Sequence, residues 1–182
     1  MQKRDSHFLK PPIGLLLSIG LVTLAPLAVA NNSLPALMQV PADNAIAWNA
    51  PANGHITYVC QTIRTDGAKL AWIIKSASAT LGNSSERLSG TYTSPPETWK
   101  SADGSALTGM EIVRAHAGAD RLYDQLVLAN PSVGVGVLTG VTYIQRLVSA
   151  GGAPPQTPCA NSNVGEQVKV AYQANYVFWK PN

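Results

Sequence analysis

The acidic residues Glu97, Asp103 and Glu111 are the side chains of this sequence best suited to acid–base chemistry. Two carboxylates on either side of a glycosidic bond can hydrolyse it. A serine nucleophile would instead need an adjacent base, and His116 with Ser105 is a pairing that the sequence offers. The Gly-x-Ser-x-Gly pattern of a nucleophile elbow does not occur. A secreted hydrolase that uses loop carboxylates or His116 is therefore an alternative, and a non-enzymatic role is favoured.

Aromatic side chains in polar surroundings indicate binding rather than catalysis. The stretch 82–108 contains the turn-forming groups Gly82-Asn83, Ser84-Ser85, Pro95-Pro96 and Asp103-Gly104-Ser105, and it predicts a long loop that contains Tyr92, Trp99 and Asp103. Loops carry binding residues more often than strands do. We therefore expect Tyr92, Trp99 and Asp103 to contact a ligand, although most aromatic rings of so small a domain belong to its core.

Arg146 is the fourth candidate ligand-binding residue, because it lies in the apolar segment 138–148. A buried guanidinium needs a partner, and Asp103 or Glu111 could supply one. The alternative is a structural ion pair without a role in binding.

Metal and cofactor sites are not expected. His116, Asp120 and Asp124 are spaced by four residues, but solvated loop charges explain them better than a metal site does. The glycines at 134, 136 and 140 precede a β segment and not a helix, so they do not form a dinucleotide fingerprint. They indicate instead a turn or bulge at which two backbone segments approach closely.

The first residues have the order of a secretory signal peptide. A basic start is followed by an apolar run and by Ala28-Val29-Ala30, which places the cut between Ala30 and Asn31. We expect residues 1–30 to be removed, the product to lie in the periplasm or outside the cell, and no stable membrane anchor to remain. The leader holds three of the 13 basic and one of the 10 acidic residues, so the net charge falls from +3 to +1. The mature chain has no basic run for nucleic acid.

The cysteines of the chain are Cys60 and Cys159. In an oxidising compartment two such cysteines usually form a disulfide. Their separation and the lack of a Cys-x-x-Cys spacing do not suggest zinc or a redox site. The alternative is a pair of buried thiols.

Hydrophobic alternation and turn residues predict an all-β fold. We expect a sandwich or barrel of about seven or more short, mostly antiparallel strands, with at most a short helical turn around 119–123. After the leader, an extended lead-in covers 31–53 and a single domain covers 54–182. The predicted strands are 55–62, 70–75, 109–116, 122–128, 138–148, 168–172 and 175–179.

Ordered motifs over residues 45–180 resemble the DUF3455 family, a group of secreted bacterial and fungal proteins of unknown function. The motifs are Gly54-x-x-x-Tyr58-x-Cys60; Trp72 with Lys75 and Ala79-Thr80-Leu81; Trp99-x-x-x-Asp103-Gly104-Ser105; Gly134-x-Gly136; Val141-Thr142-Tyr143-Ile144-Gln145-Arg146; Gly151-Gly152-Ala153-x-Pro155 before Cys159; and Tyr172-x-Ala174-x-Tyr176-x-Phe178. The resemblance implies export but no reaction. One departure is Thr91, which stands where the family pattern often has a histidine.

These observations favour an exported, non-enzymatic module that binds a small molecule, a glycan or an envelope component. The predicted binding region is Trp99–Ser105 together with Arg146. The alternatives are the secreted hydrolase and a structural surface protein without a pocket.

Overall fold

The computed structural model describes residues 34–64, 66–82 and 88–182. The predicted leader and its cut therefore lie outside the described residues. Within them are eight strands and two short 3-10 turns. The strands are β1 (Asn44–Ile63), β2 (Asp66–Leu81), β3 (Gly90–Ser94), β4 (Thr98–Ser101), β5 (Ala106–Ala115), β6 (Asp124–Ala129), β7 (Tyr143–Gly151) and β8 (Gln167–Pro181). The 3-10 turns are Ala36–Met38 and Asn161–Asn163.

All eight strands form one closed antiparallel barrel in which each strand pairs with its neighbours in sequence. The barrel closes where β8 pairs with β1, in a long register that joins Asn44 to Pro181 and Val59 to Gln167. The predicted all-β fold is thus confirmed, and of the two expected forms the chain adopts the barrel. No helix in the described part of the chain is long and apolar enough to cross a membrane.

Strict alternation along β1 explains how the barrel is filled. Trp48, Ala50, Ala52, Ile56 and Tyr58 are buried inside it, whereas the residues between them face outwards or towards the edges. Successive side chains of a strand point to opposite faces, so a sequence with this period can bury one face of a sheet. β1 begins at Asn44, within the segment expected to be an extended lead-in.

The first half of β1 is not recognisable as a strand in the sequence, because it contains a proline. Pro51 lies inside the strand, where its carbonyl accepts a hydrogen bond from the Gly82 amide. β2 ends at Leu81, which pairs with Ala52, so at Pro51 the missing N–H would face no strand. The proline therefore costs the barrel no ladder hydrogen bond.

The stretch 82–108 is not the long loop that its composition predicts. It contains β3, β4 and the start of β5. Trp99 lies in the middle of β4 and is fully buried. Strands β3 and β4 are short, and their outward positions carry Thr and Lys. Their composition therefore resembles that of a loop. The inward residues Tyr92 and Trp99 are aromatic and pack in the core.

Other elements also differ from the prediction, and β2 extends from Asp66 to Leu81 where a strand over 70–75 is expected. β7 begins at Tyr143, after the buried loop residues Leu138 and Val141. The two strands expected near the C-terminus are one continuous strand, β8. The helical turn expected around 119–123 is replaced by a turn and an isolated bridge between Arg121 and Gly152.

The predicted disulfide is confirmed. Cys60 and Cys159 are joined with an S–S distance of 2.04 Å and a Cα–Cα distance of 5.4 Å. The bond ties the end of β1 to the segment that leads into β8. A disulfide of this kind suggests a location outside the cytoplasm.

Candidate functional site

A row of paired residues brings polar side chains into the barrel. Gln125 of β6 pairs in register with Arg146 of β7, and Arg146 pairs with Tyr176 of β8. The row ends at Ala50 of β1, and all four residues are buried. Directly opposed residues on one face of a sheet have neighbouring side chains, so an amide, a guanidinium and a phenol lie side by side in the interior.

Among the described residues, Arg146 forms no ion pair with a carboxylate, although Glu97 and Asp124 lie close enough to act on its charge. Its side chain is 7% exposed, and Nη2 donates a hydrogen bond to the Tyr123 carbonyl at 3.1 Å. Its Nε has no hydrogen-bond partner among the described residues. The expected partners are therefore wrong: the Glu111 carboxylate pairs with Arg114, and Asp103 lies elsewhere.

Three phenol groups also lie near the guanidinium. The hydroxyls of Tyr176, Tyr92 and Tyr172 lie close enough to act on the charge of Arg146. The Tyr172 and Tyr176 hydroxyls are 3.0 Å apart and share a hydrogen bond. Burial raises the pKa of Tyr92, Tyr172 and Tyr176 above the usual value, which keeps these phenols neutral at physiological pH.

Two carboxylates share the amide nitrogen of Gln125. Nε2 donates to Glu97 Oε1 at 2.7 Å and to Glu111 Oε2 at 2.8 Å. Tyr92 donates its hydroxyl proton to the same Glu97 oxygen at 3.2 Å. Burial raises the pKa of Glu97, and the hydrogen bond from Gln125 partly opposes that shift. The second Glu97 oxygen, Oε2, is buried and has no partner among the described residues.

The two carboxylates also fix the orientation of the Gln125 amide. Ionised carboxylate oxygens only accept hydrogen bonds, so the NH₂ end of the amide must face them. Its carbonyl oxygen, Oε1, consequently faces away and has no partner in the described part of the chain.

Aromatic rings form the wall behind these polar groups. The Tyr92 ring centroid lies 5.2 Å from that of Trp99 and 5.2 Å from that of Tyr176. Trp99 and Tyr176 contact each other edge to face at 6.3 Å. Trp99 supports Tyr92 from behind and does not line the cavity described next.

A cavity of about 210 Å³, which we call the chamber, adjoins the polar groups. Its wall includes Tyr92, Glu97, Gln125 and Arg146. The chamber reaches the surface through residues that are partly exposed, with Ile74 48% and Tyr123 38% exposed. There it meets a second cleft of about 340 Å³, the vestibule, which shares Ile74, Arg114, Leu122 and Tyr123 with it and is also lined by Trp72 and Arg121.

The short lengths of β3 and β4 explain why the chamber opens to the surface. β3 pairs with β2 only from Ala77 to Leu81, and β4 pairs with β5 only from Ala106 to Thr108. β2 and β5 both continue past these short strands. The barrel wall is therefore lower between β2 and β5, and the chamber opens there.

Asp103 lies outside the chamber and has a structural role. Oδ1 accepts hydrogen bonds from the Ser105 amide at 2.9 Å and from its hydroxyl at 2.6 Å, and Oδ2 accepts one from the Val137 amide at 2.7 Å. The hydrogen bond from the Ser105 hydroxyl is the largest cause that lowers the pKa of Asp103 to about 2. These bonds hold the turn between β4 and β5 against the loop that follows β6.

The glycines at 134 and 136 permit this contact. Gly134 has φ +73°, and a side chain there would clash with the Gly104 carbonyl. A side chain at Gly136 would clash with the Asp103 carboxylate. The close backbone approach predicted for this glycine-rich segment is confirmed.

The residues of a serine hydrolase are not brought together. His116 is exposed, and its ring contacts Tyr123 with centroids 4.6 Å apart. The Ser105 hydroxyl is instead bound to Asp103 and accepts a hydrogen bond from the Leu138 amide. Within residues 34–64, 66–82 and 88–182, no group of three or more His, Cys, Asp or Glu side chains could hold a metal ion.

Comparison with protein families gives one match. A family model described as "Protein of unknown function (DUF3455)" matches residues 83–180. The chain belongs to the DUF3455 family. No curated protein and no solved structure matches it.

The DUF3455 match includes every strand from β3 to β8. It therefore contains all of the polar residues that line the chamber, namely Tyr92, Ser94, Glu97, Glu111, Arg114, Tyr123, Gln125 and Arg146, and also the nearby Tyr172 and Tyr176. Thr91, at which a departure from the family pattern is expected from the sequence, is exposed on β3 next to the inward Tyr92. The departure thus lies on the outer face of the barrel and not in the chamber.

Sequence analysis missed part of this arrangement. Gln125, Tyr172 and Tyr176 were not among the predicted site residues, although the inward parity of Tyr172, Ala174, Tyr176 and Phe178 is visible in the sequence. Gln125 lies directly before the apolar run Leu126–Leu128. A polar residue beside an apolar segment is the same signal that marked Arg146.

Proposed function

We propose that this DUF3455 protein is an exported, non-enzymatic binding protein that holds a small molecule in the chamber. One observation supports the proposal: Arg146 Nε, Glu97 Oε2 and Gln125 Oε1 are all buried without partners, and their residues all line a cavity that reaches the surface. Buried polar groups are normally hydrogen-bonded, because an unmade bond costs about 1–3 kcal/mol. A bound molecule would supply the missing partners.

Binding can be tested with the mature chain, residues 31–182, and a small-molecule library. The probe is the ¹⁵N-labelled Arg146 Nε–H signal, assigned by its loss in Arg146→Gln. We expect a subset of compounds to shift this signal and to raise the melting temperature. Arg64→Gln is the matched control, because Arg64 is an exposed arginine in the turn after β1. It should leave the ligand-induced shifts unchanged. A library that never moves the Arg146 signal would contradict the proposal.

Export forms part of the same proposal and rests on the leader sequence and the disulfide. Expression with the native N-terminus in a bacterial host should deliver a product outside the cytoplasm that begins at Asn31. Mass spectrometry of the intact product reads this directly. A cytoplasmic product that retains residues 1–30 would contradict export.

A second candidate function is the cleavage of a glycosidic bond, since Glu97 and Glu111 approach the same amide nitrogen. The arrangement favours binding, because the Gln125 amide occupies the space between the carboxylates that a scissile bond would need. Hydrolysis of nitrophenyl glycosides by the wild type, lost in Glu97→Gln, would favour the enzyme instead.

A further inference from the structure

The unpartnered atoms of the chamber have different hydrogen-bonding characters. Arg146 Nε is a charged donor, whereas Gln125 Oε1 is an acceptor and Glu97 Oε2, when ionised, is a second one. A molecule that satisfies all three must offer an acceptor, best an anionic one, and two donors. A guanidinium prefers a carboxylate or a phosphate as its acceptor.

The charged side chains near the chamber determine which kind of anion fits it best. The Glu111 carboxylate is already paired with Arg114, so its charge is compensated. Arg146 is 7% exposed and forms no such ion pair in the described residues, although the carboxylates of Glu97 and Asp124 lie close enough to act on its charge. A phosphate would bring a second negative charge towards Glu97, whereas a carboxylate brings one charge against one guanidinium. The geometry therefore favours a carboxylate.

The donors of the ligand are best supplied by hydroxyl groups. An α-ammonium group could donate to the ionised Glu97 carboxylate, which attracts it, but it would also lie within a few atoms of the ligand carboxylate and hence near the Arg146 guanidinium. Two positive charges repel strongly where water is excluded. Hydroxyl groups donate to Glu97 and Gln125 without that repulsion, and they also match the neutral phenol of Tyr92 in the chamber wall.

Size limits the molecule further. The chamber of about 210 Å³ has room for roughly seven water molecules at about 30 Å³ each. That is close to the volume of a single hexose ring with its substituents. Longer molecules would extend into the vestibule, past Ile74 and Tyr123.

We infer that the chamber binds a small hydroxylated carboxylate of monosaccharide size, such as a sugar acid, with the carboxylate on Arg146 and hydroxyl groups on Glu97 and Gln125. This inference rests on the proposed function and specifies its ligand class. The same chemistry occurs in a free sugar acid and at the end of an acidic polysaccharide.

The test compares matched ligands on the wild-type protein by calorimetry, with the Arg146 Nε–H signal as the marker of the site. The probes are glucuronate, its methyl ester, glucose, propionate, glutamate and a glucuronate-containing oligosaccharide. We expect glucuronate to bind at least tenfold more tightly than the ester, glucose, propionate or glutamate. Tighter binding of the oligosaccharide than of glucuronate would support the inference and assign the source to a polysaccharide.

Variants check the contact itself. Arg146→Gln should weaken glucuronate at least tenfold and Arg146→Lys should restore part of the loss, whereas Arg64→Gln should change nothing. Circular dichroism and the melting temperature show whether each variant is folded. Because the ligand comparison uses the wild type, it remains decisive even if a variant fails to fold.

Two results would overturn the inference. If glucose, the ester or glutamate shifts the Arg146 signal as strongly as glucuronate, the ligand class is wrong while the binding function stands. If no compound of this panel or of the wider library shifts it, the three polar atoms are satisfied by water alone, and the inference and the proposed function both fail.

Discussion

Gln125 and Arg146 face each other in register on β6 and β7, yet the carboxylates of the interior bind the amide and not the guanidinium. This arrangement separates the charges inside the barrel. Glu97 and Glu111 are held by a neutral donor, and Arg146 forms no ion pair with a carboxylate in the described residues, although Glu97 and Asp124 lie close enough to act on its charge. A buried guanidinium that forms no ion pair is costly, because its charge is taken out of water.

Replacing Arg146 by methionine should therefore stabilise the folded protein. Methionine fills a similar volume and removes the buried charge, so we expect the free energy of unfolding to rise by about 1–3 kcal/mol. Urea unfolding at pH 7 measures the change. The control Arg64→Met alters an exposed side chain and should stay within about 0.5 kcal/mol of wild type. A clear loss of stability in Arg146→Met would show that the Tyr123 carbonyl and the phenols already compensate the charge.

Glu97→Gln should make stability less dependent on pH. Burial raises the pKa of Glu97 in the folded protein above its usual value of 4.5. The folded state therefore binds the proton more tightly than the unfolded state does. The resulting stabilisation is fully present below about pH 4.5 and is lost as the pH rises through the raised pKa.

The measurement is the difference in unfolding free energy between Glu97→Gln and wild type from pH 4 to pH 7. We expect this difference to move in favour of the variant as the pH rises, because glutamine has no charge to bury. Glu166→Gln is the control, since Glu166 is exposed before β8. Parallel curves for Glu97→Gln and wild type would contradict the buried position of Glu97 beside Gln125.

The sequence predicts the fold class, and it singles out Tyr92 and Arg146, which line the chamber, for identifiable reasons. Alternation around Ile56 and Tyr58 is a local signal, and so is a charged residue such as Arg146 in an apolar segment. These features do not depend on which strands are neighbours. The prediction of an all-β domain, its disulfide and a special role for Arg146 could therefore be made from the chain alone.

The remaining features depend on tertiary pairing. The sequence predicts a loop around Trp99, because β4 has only four residues and its outward positions are polar. Its burial follows from pairing with Tyr92 on one side and Leu107 on the other. Likewise, nothing local shows that Gln125 would bind two carboxylates from β5 and from the turn before β4, since those contacts span 14 and 28 residues of sequence.

Gly54→Ala should destabilise the barrel by about 1–3 kcal/mol, the usual cost of overpacking. A methyl group at position 54 would clash with the Ser78 carbonyl and with the ring of Tyr172. Tyr172 in turn shares its hydroxyl hydrogen bond with Tyr176, so the substitution should also disturb the chamber. The matched control is Gly67→Ala in β2, where an added methyl group meets no described atom within 4 Å. Equal stability of the two variants in urea would show that the sheet relaxes freely at Gly54.

Removing the disulfide should have the largest effect of these changes. Cys60 and Cys159 are separated by 99 residues, and a closed loop of about 100 residues restricts the unfolded chain by about 4.7 kcal/mol in the loop-entropy model. The double variant Cys60→Ala/Cys159→Ala should therefore unfold at a much lower urea concentration. The free energy of unfolding should fall, whereas the spectrum of the native protein should change little. Reduction of the wild type with dithiothreitol provides an independent comparison that changes no side chain. A loss below about 1 kcal/mol in both experiments would mean that the unfolded chain stays compact around the β1–β8 pairing even without the covalent link.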